Sequence, residues 1–137
     1  MSSSIATTKL PPSIRELVGK DGLNGVFGNS LLSSIILNEG LEIIGRSAFS
    51  GCSNLTTLTI PSSVNSVETT ALYAAAGNTI TFKHTENDEL TLASQIFNKP
   101  KSAVAMTIKH YGNSSVLNYN WSGNNITPTF VDLREQQ

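Results

Sequence analysis

Leu55-Thr56-Thr57-Leu58-Thr59-Ile60-Pro61-Ser62-Ser63-Val64-Asn65-Ser66-Val67 decides the fold, because the chain spells this pattern more than once. Subtracting 23 from its apolar positions gives Leu32, Ile35, Leu37, Leu41 and Ile44, apolar every time. The match runs on, with Ala48 and Phe49 lying 23 residues before Ala71 and Leu72. A fixed period of roughly 20–50 residues marks a solenoid, whose units cannot bury an apolar face alone and therefore stack. Within the unit, Leu-x-x-Leu-x-Ile alternates in and out as a short strand. Pro61 ends that strand, since it has no N–H for a further ladder bond. The Val64-x-x-Val67 step then leads into a turn, Ala48-Phe49-Ser50-Gly51-Cys52 in the earlier unit, that closes the coil. Its counterpart over residues 69–76 is rich enough in Ala to form a short helix, stopped by Gly77.

On the N-terminal side, Leu10-Pro11-Pro12-Ser13-Ile14-Arg15-Glu16-Leu17 matches Ile60 to Val67 at every apolar position and reads as a degenerate first unit. Leu10 and Leu37 are 27 apart, which implies an insertion of about four residues within 18–24, where Gly19 and Gly22 suit a corner loop. On the C-terminal side, Ile80 and Phe82 follow Leu58 and Ile60 by 22 and predict a further strand. Residues 83–89 form a polar loop, and Leu90, Leu92, Ile96 and Phe97 complete that coil. From residue 103 the unit is no longer recognisable. Val104, Met106, Ile108 and His110 alternate with Ala105, Thr107 and Lys109, and Leu117, Tyr119 and Trp121 alternate with Asn118 and Asn120. Joined by Tyr111-Gly112-Asn113-Ser114-Ser115, these two runs predict a β-hairpin that caps the open end of the stack.

The run Ile43-Ile44-Gly45-Arg46-Ser47-Ala48-Phe49-Ser50-Gly51-Cys52-Ser53-Asn54, followed by Leu55 to Val67, closely resembles the BspA-like leucine-rich repeat. That unit pairs a strand ending in Ile-Pro with a Val-x-x-Ile-Gly step and an Ala-Phe-x-x-Cys turn. The next unit departs from it, with Glu68, Leu72 and Ala75 at the glycine, phenylalanine and cysteine positions. The resemblance implies a binding or adhesive solenoid with no catalytic residue to carry over. Similar repeats occur in bacterial and protist surface proteins and in phage structural proteins. The expected architecture is mainly β with short helical turns: a polar arm at 1–9, a leucine-rich-repeat solenoid of about three to four coils at 10–102, and a β-hairpin cap with a tail at 103–137.

Composition narrows the function. The 137 residues suit one domain, and only 14% are charged against about 25% in an average soluble domain. Ser, Thr and Asn fill the gap at about a third of the chain, so association meets little charge repulsion. A net charge of -1 gives no electrostatic footprint for nucleic acid. No apolar run approaches the roughly 18 residues of a membrane-spanning helix, so no membrane insertion is expected. Met1 to Lys9 has neither the basic nor the apolar region of a secretory signal, which predicts synthesis in the cytoplasm. With Ile5 and Ala6 its only apolar residues after Met1, residues 1–9 have the composition of a disordered arm, or of one held by a neighbouring subunit.

The candidates for chemistry each have a plainer reading. Cys52 is unpaired and has no His neighbour in sequence, so it reads as a small packed hydrophobe rather than a reactive thiol. His84, Glu86, Asp88 and Glu89 could ligate a cation, but their spacing fits neither an EF-hand nor a zinc pair, and a solvated turn is the expectation. Gly22-Leu23-Asn24-Gly25-Val26-Phe27-Gly28 lacks the Lys-Ser/Thr of a phosphate loop and reads as loop geometry. Gly-x-Ser-x-Gly is missing, so no enzyme, cofactor or metal is expected. Tyr111, Tyr119, Trp121 and Phe130 could form a contact platform or pack the cap.

The outward strand positions remain. With Leu32, Ile35 and Leu37 inward, Ser34, Ile36 and Asn38 face out, followed one coil on by Thr57 and Thr59, and then by Thr79 and Thr81. These seven, with Tyr119 and Trp121, are the candidate partner-binding residues. The expected role is a non-enzymatic subunit that binds other protein chains, copies of itself or others, in a larger assembly such as a phage virion. The alternative is a cell-surface adhesin module that binds host protein or glycan.

Overall fold

The computed structural model describes residues 7–9, 14–17, 34–46, 48–49, 55–73, 77–97 and 100–136. Each of the first four coils lays down one longer strand and one two-residue strand, and two more long strands follow. The longer ones are β1 (Thr7–Lys9), β3 (Ser34–Ile36), β5 (Thr57–Ile60), β7 (Thr79–Phe82), β9 (Val104–His110) and β10 (Ile126–Asp132). The short ones are β2 (Glu16–Leu17), β4 (Ile43–Ile44), β6 (Ser66–Val67) and β8 (Thr91–Leu92). Every strand pair is parallel. The short strands form one sheet in the order β2-β4-β6-β8, while β5, β7, β9 and β10 form another, with β1 and β3 paired before it. Among the described residues, four coils have both a long and a short strand.

The repeat pattern becomes stacked ladders of identical burial. Leu17, Ile44 and Val67 lie in register and are buried along the short sheet. Ile60 lies beside Phe82 on the long sheet, both fully buried. Phe49, Leu72 and Phe97 line the third side, where Leu72 bridges Phe97. Burying each such side chain stabilises the fold by about 1.5–3 kcal/mol, a gain available only when the next coil is in place. One core cluster runs from Leu17 to Ile126.

The register dates each insertion. Thr7 pairs with Ser34 and Glu16 with Ile43, the same step of 27 on both sheets, so the extra residues of the first coil fall between Leu17 and Ser34. The proposed insertion at 18–24, the glycine-rich run at 22–28, Cys52 and residues 1–6 of the arm all lie outside the described residues. Thr7–Lys9, which composition assigns to that arm, form β1 and pair with β3 of the same chain. Residues 69–73 form a turn and the Leu72 bridge rather than the start of a helix, and Gly77 takes a positive φ of 86° at the following corner.

One corner is closed by side chains of the next coil. Ser63 Oγ donates to the Leu41 carbonyl at 2.7 Å. In the following coil His84 takes the same role, donating from Nε2 to the Val64 carbonyl at 2.6 Å. The carbonyl can only accept, so this ring is the Nε2–H tautomer. His84 is therefore fully buried and not part of a solvated turn, and its Nδ1 has no hydrogen-bond partner. Burial pushes its pKa below 6.5, against the upward pull of the Val64 bond and of Asp88 and Glu39. The unfolded chain then binds the proton more readily, so stability is complete above about pH 6.5 and falls as the pH drops toward the folded pKa. Melting temperature is expected to decline between pH 7.5 and 5, and His84→Gln, which keeps an N–H donor, to flatten that slope. An unchanged slope in the variant would show that another group is responsible.

The C-terminal stretch differs from the expected hairpin. Residues 117–121 form no strand; Asn113 instead caps a short helix, α1 (Ser114–Leu117), through a bond from Ser115 N to its side chain. Asn113 also donates from Nδ2 to the carbonyls of Thr85 (2.8 Å) and Asp88 (2.9 Å), which ties the helix to the loop before it. After a 3-10 turn at Ser122–Asn124, β10 returns alongside β9 in parallel, pairing Ile126 with Val104 at a step of 22. The period is thus restored where the sequence motif is least legible. Parallel pairing wins because a coil that turns the same way continues the core, with Met106, Ile108 and Ile126 buried in it.

Candidate functional site

The outer face of the long strands is built by strand alternation alone. Leu58, Ile60, Ile80 and Phe82 are buried, so Thr57, Thr59, Thr79 and Thr81 must point outward. Register then aligns them: Thr57 pairs with Thr79, Thr79 with Thr107, and Thr107 with Thr129. In the second row Thr59 pairs with Thr81, Thr81 with Lys109, and Lys109 with Val131. At the N-terminal end Ser34 lies beside Thr7 and Ile36 beside Lys9. Neighbours along each row are about 4.8 Å apart and the two rows about 6.6 Å apart, set by strand spacing and rise.

Thr57, Thr59 and Thr129 are exposed, and Thr79, Thr81 and Thr107 are half-buried between their neighbours. Ile36, at 49% exposure, gives this hydroxyl field one large apolar residue. Asn38 lies beyond the end of β3 in the corner turn, half-buried, where its carbonyl accepts from Leu41 N. The face therefore unites Ile36, Thr57, Thr59, Thr79 and Thr81, and Ser34 is placed by main-chain register alone. Sequence reading missed Thr107 and Thr129. For Thr129 the signal that could have found it is the third Thr-x-Thr, Thr127-Pro128-Thr129, and for Thr107 its place between Met106 and Ile108 in an alternating run.

Tyr119 and Trp121 belong elsewhere. Trp121 is 3% exposed, packs against Phe82, Phe97, Tyr119 and Phe130, and donates from Nε1 to the Val116 carbonyl at 3.0 Å. It is core of the cap and offers no platform. Tyr119 is half-buried, its hydroxyl donating to the Ala93 carbonyl (2.7 Å) and accepting from Ile96 N (3.1 Å) and Asn124 Nδ2 (3.1 Å). Burial pushes this phenol above its usual pKa, against those two incoming bonds, and keeps it a neutral donor.

These side chains replace a missing coil. In the interior, Phe49 N and Leu72 N donate to carbonyls of the next coil, Ala71 and Ile96, both at 2.8 Å. The next N–H in that series, at Phe97, reaches the Asn124 side chain at 3.4 Å instead. On the short sheet, Ser66 N and Thr91 N donate to Glu42 and Asn65 carbonyls, whereas the Leu90 carbonyl receives Ser115 Oγ at 2.7 Å.

Among the described residues no cluster of His, Cys, Asp or Glu could hold a metal ion, and no helix is long and apolar enough to cross a membrane. His84 spends Nε2 on Val64, and Asp88 accepts from the Thr85 N–H and hydroxyl, so both groups serve the loop itself.

With six copies of its unit matched over residues 23–131, the chain belongs to the BspA-type leucine-rich repeat family. The match extends through β9 and β10, beyond the stretch where the motif can be read by eye. Modules of this family typically serve protein–protein interaction or adhesion without catalysis, and are often surface-associated. No curated protein and no solved structure matches this chain.

Proposed function

We propose that this module is a non-enzymatic subunit that docks other protein chains of a larger assembly, such as a virion, through the outer face of its long strands. The observation that carries the reading is the in-register row Thr57-Thr79-Thr107-Thr129, together with the exposed Ile36 of β3. This surface is broad, held rigid by the core beneath it, and cheap to desolvate along the Thr57-Thr79-Thr107-Thr129 row, which carries no charge, whereas Lys109 puts one cation in the second row. Hydroxyls there bond to a partner's main chain, and their methyl groups and Ile36 supply apolar contact.

A lysine in the middle of the row tests this. Thr79→Lys sets an ammonium between Thr57 and Thr107, where docking would have to strip its water. When the tagged chain is expressed in its own source, the parent is expected to co-sediment with a multi-protein particle. The variant is expected to incorporate at least tenfold less while melting at the same temperature. Equal incorporation of the variant, or recovery of the parent free of any particle, would remove this reading; recovery on the cell surface bound to host protein would favour the adhesin.

A further inference from the structure

The long sheet continues past the fourth coil with β9 and β10, but the short sheet stops at β8. In place of its next strand stand α1 and the residues just after it, leaving an open hollow of about 510 Å³ along the β8 edge. Its walls are Thr91 and Ser94 on one side and Ser115, Asn118, Tyr119 and Asn120 on the other, over Leu90 and Leu92. A second hollow of about 430 Å³ shares Thr91 with it and runs back along the sheet toward Ser66, where Arg46 and Glu68 bring one charge of each sign.

We propose that the hollow between β8 and α1 binds a neutral oligosaccharide. Every residue lining it is uncharged, so neither an acidic nor a basic ligand finds a counter-ion there. It nonetheless holds unspent polar groups: the Asn118 amide and the Thr91 and Ser94 hydroxyls make no hydrogen bond among the described residues, and the Asn120 side chain uses only its oxygen, toward Ser122 and Gly123. An amide offers two donors and an acceptor, and hydroxyls offer both roles, which suits the vicinal hydroxyls of a sugar. Tyr119 supplies a ring to the wall, and the half-buried Leu92 supplies aliphatic surface for the apolar face of a pyranose. The three bonds to the Tyr119 hydroxyl fix that ring in advance, which lowers the cost of binding.

The same geometry disfavours a peptide. Strand addition needs free main-chain acceptors along the edge. Here Ser115 Oγ already occupies the Leu90 carbonyl and Tyr119 Oη the Ala93 carbonyl, each at 2.7 Å, and Asn124 Nδ2 the Ser94 carbonyl at 3.1 Å. Among the described residues that leaves the main chain of Leu92 alone on this edge, too short a stretch for a strand to pair with. Nor do the exposed large hydrophobic residues, Ile36, Leu117 and Phe130, line the hollow as anchors for a protein partner. This site is separate from the docking face of the long strands and stands or falls independently of it.

Saturation-transfer NMR on the full chain with cellohexaose, mannohexaose and N-acetylchitohexaose provides the test. At least one is expected to show saturable transfer that weakens tenfold or more in Asn118→Ala and in Thr91→Lys, and is unchanged in Lys101→Ala. Both positions are exposed, and amide spectra of the variants check that the fold is intact. The proposal is overturned if none of the three sugars shows transfer. It is equally overturned if the signal survives both substitutions, or if a neutral Ser/Thr-rich dodecapeptide displaces the bound sugar.

Discussion

Trp121→Ala is expected to cost about 3–5 kcal/mol, the largest loss from any single substitution in the cap. The indole is 3% exposed, with ring centroids of Tyr119 at 4.9 Å, Phe97 at 6.1 Å, Phe130 at 6.4 Å and Phe82 at 6.5 Å. Removing it opens a void among four aromatic rings that are held in place by the core and the cap. The Val116 carbonyl also loses its Nε1 donor, and with it the tie between α1 and the turn that leads to β10. Against a typical total of about 5–15 kcal/mol, that is a fifth or more of the stability, and a fall in Tm of about 10–15 °C is expected for a chain of this length. Trp121→Phe, which keeps a ring but not the N–H, should lose far less. A stack whose coils contact only their neighbours frays from its weakened end. Hydrogen exchange should therefore accelerate first at Ile96 and Phe97, whose amides rest on Tyr119 and Asn124, and last at β5. A drop in Tm below 3 °C, or uniform loss of protection along the chain, would refute the cap's role.

The same region shows where sequence reading stops. The core of the first four coils is legible because burial repeats with the period: Ile44 and Val67, or Phe49 and Leu72, occupy the same place one coil apart. The outward threonines follow from strand alternation, so most of the candidate face is legible too. Pairing between coils is non-local, however, and the alternation of Leu117, Tyr119 and Trp121 carries no information about whether the chain doubles back or winds on. What decides the matter is a set of polar side chains standing in for backbone. Asn113 and Asn124 are buried at 3% and 0% exposure, and each makes bonds that a coil's main chain makes elsewhere. An asparagine looks like loop in any sequence; only the carbonyls and amides it meets distinguish a cap. His84 escaped detection in the same way, because a corner that takes Ser63 in one coil takes an imidazole in the next.

Pro128→Val is expected to convert the chain's blunt end into an adhesive one. Val104 N donates to the Asn125 carbonyl at 2.8 Å, and Ile126 lies in register with Val104. Alternate residues of a parallel strand face the same neighbour, so Thr127, Thr129 and Val131 direct their main-chain groups to β9. Pro128, Phe130 and Asp132 direct theirs to the open edge, and the Ile126 N–H is already spent on the Trp121 carbonyl at 3.0 Å. Proline therefore occupies the centre of the last strand at a position where the ladder with β9 needs no N–H, and where an N–H would invite a further strand. Beside it Phe130 is 40% exposed, apolar surface that an incoming strand would cover. Valine restores the donor without disturbing the pairing with Met106. Two β10 edges can then meet antiparallel about a two-fold axis, gaining one new bond on each side. At about 0.5–1.5 kcal/mol per bond, dimerisation should strengthen by roughly tenfold or more, visible as a concentration-dependent shift in sedimentation velocity. Thr127→Val, whose N–H already faces β9, serves as the control and should sediment like the parent. If the proline variant also matches the parent at every concentration, the edge is protected by something other than Pro128. In that case Phe130, Asp132 and the 3-10 turn Leu133–Gln136 that follows β10 become the elements to alter next.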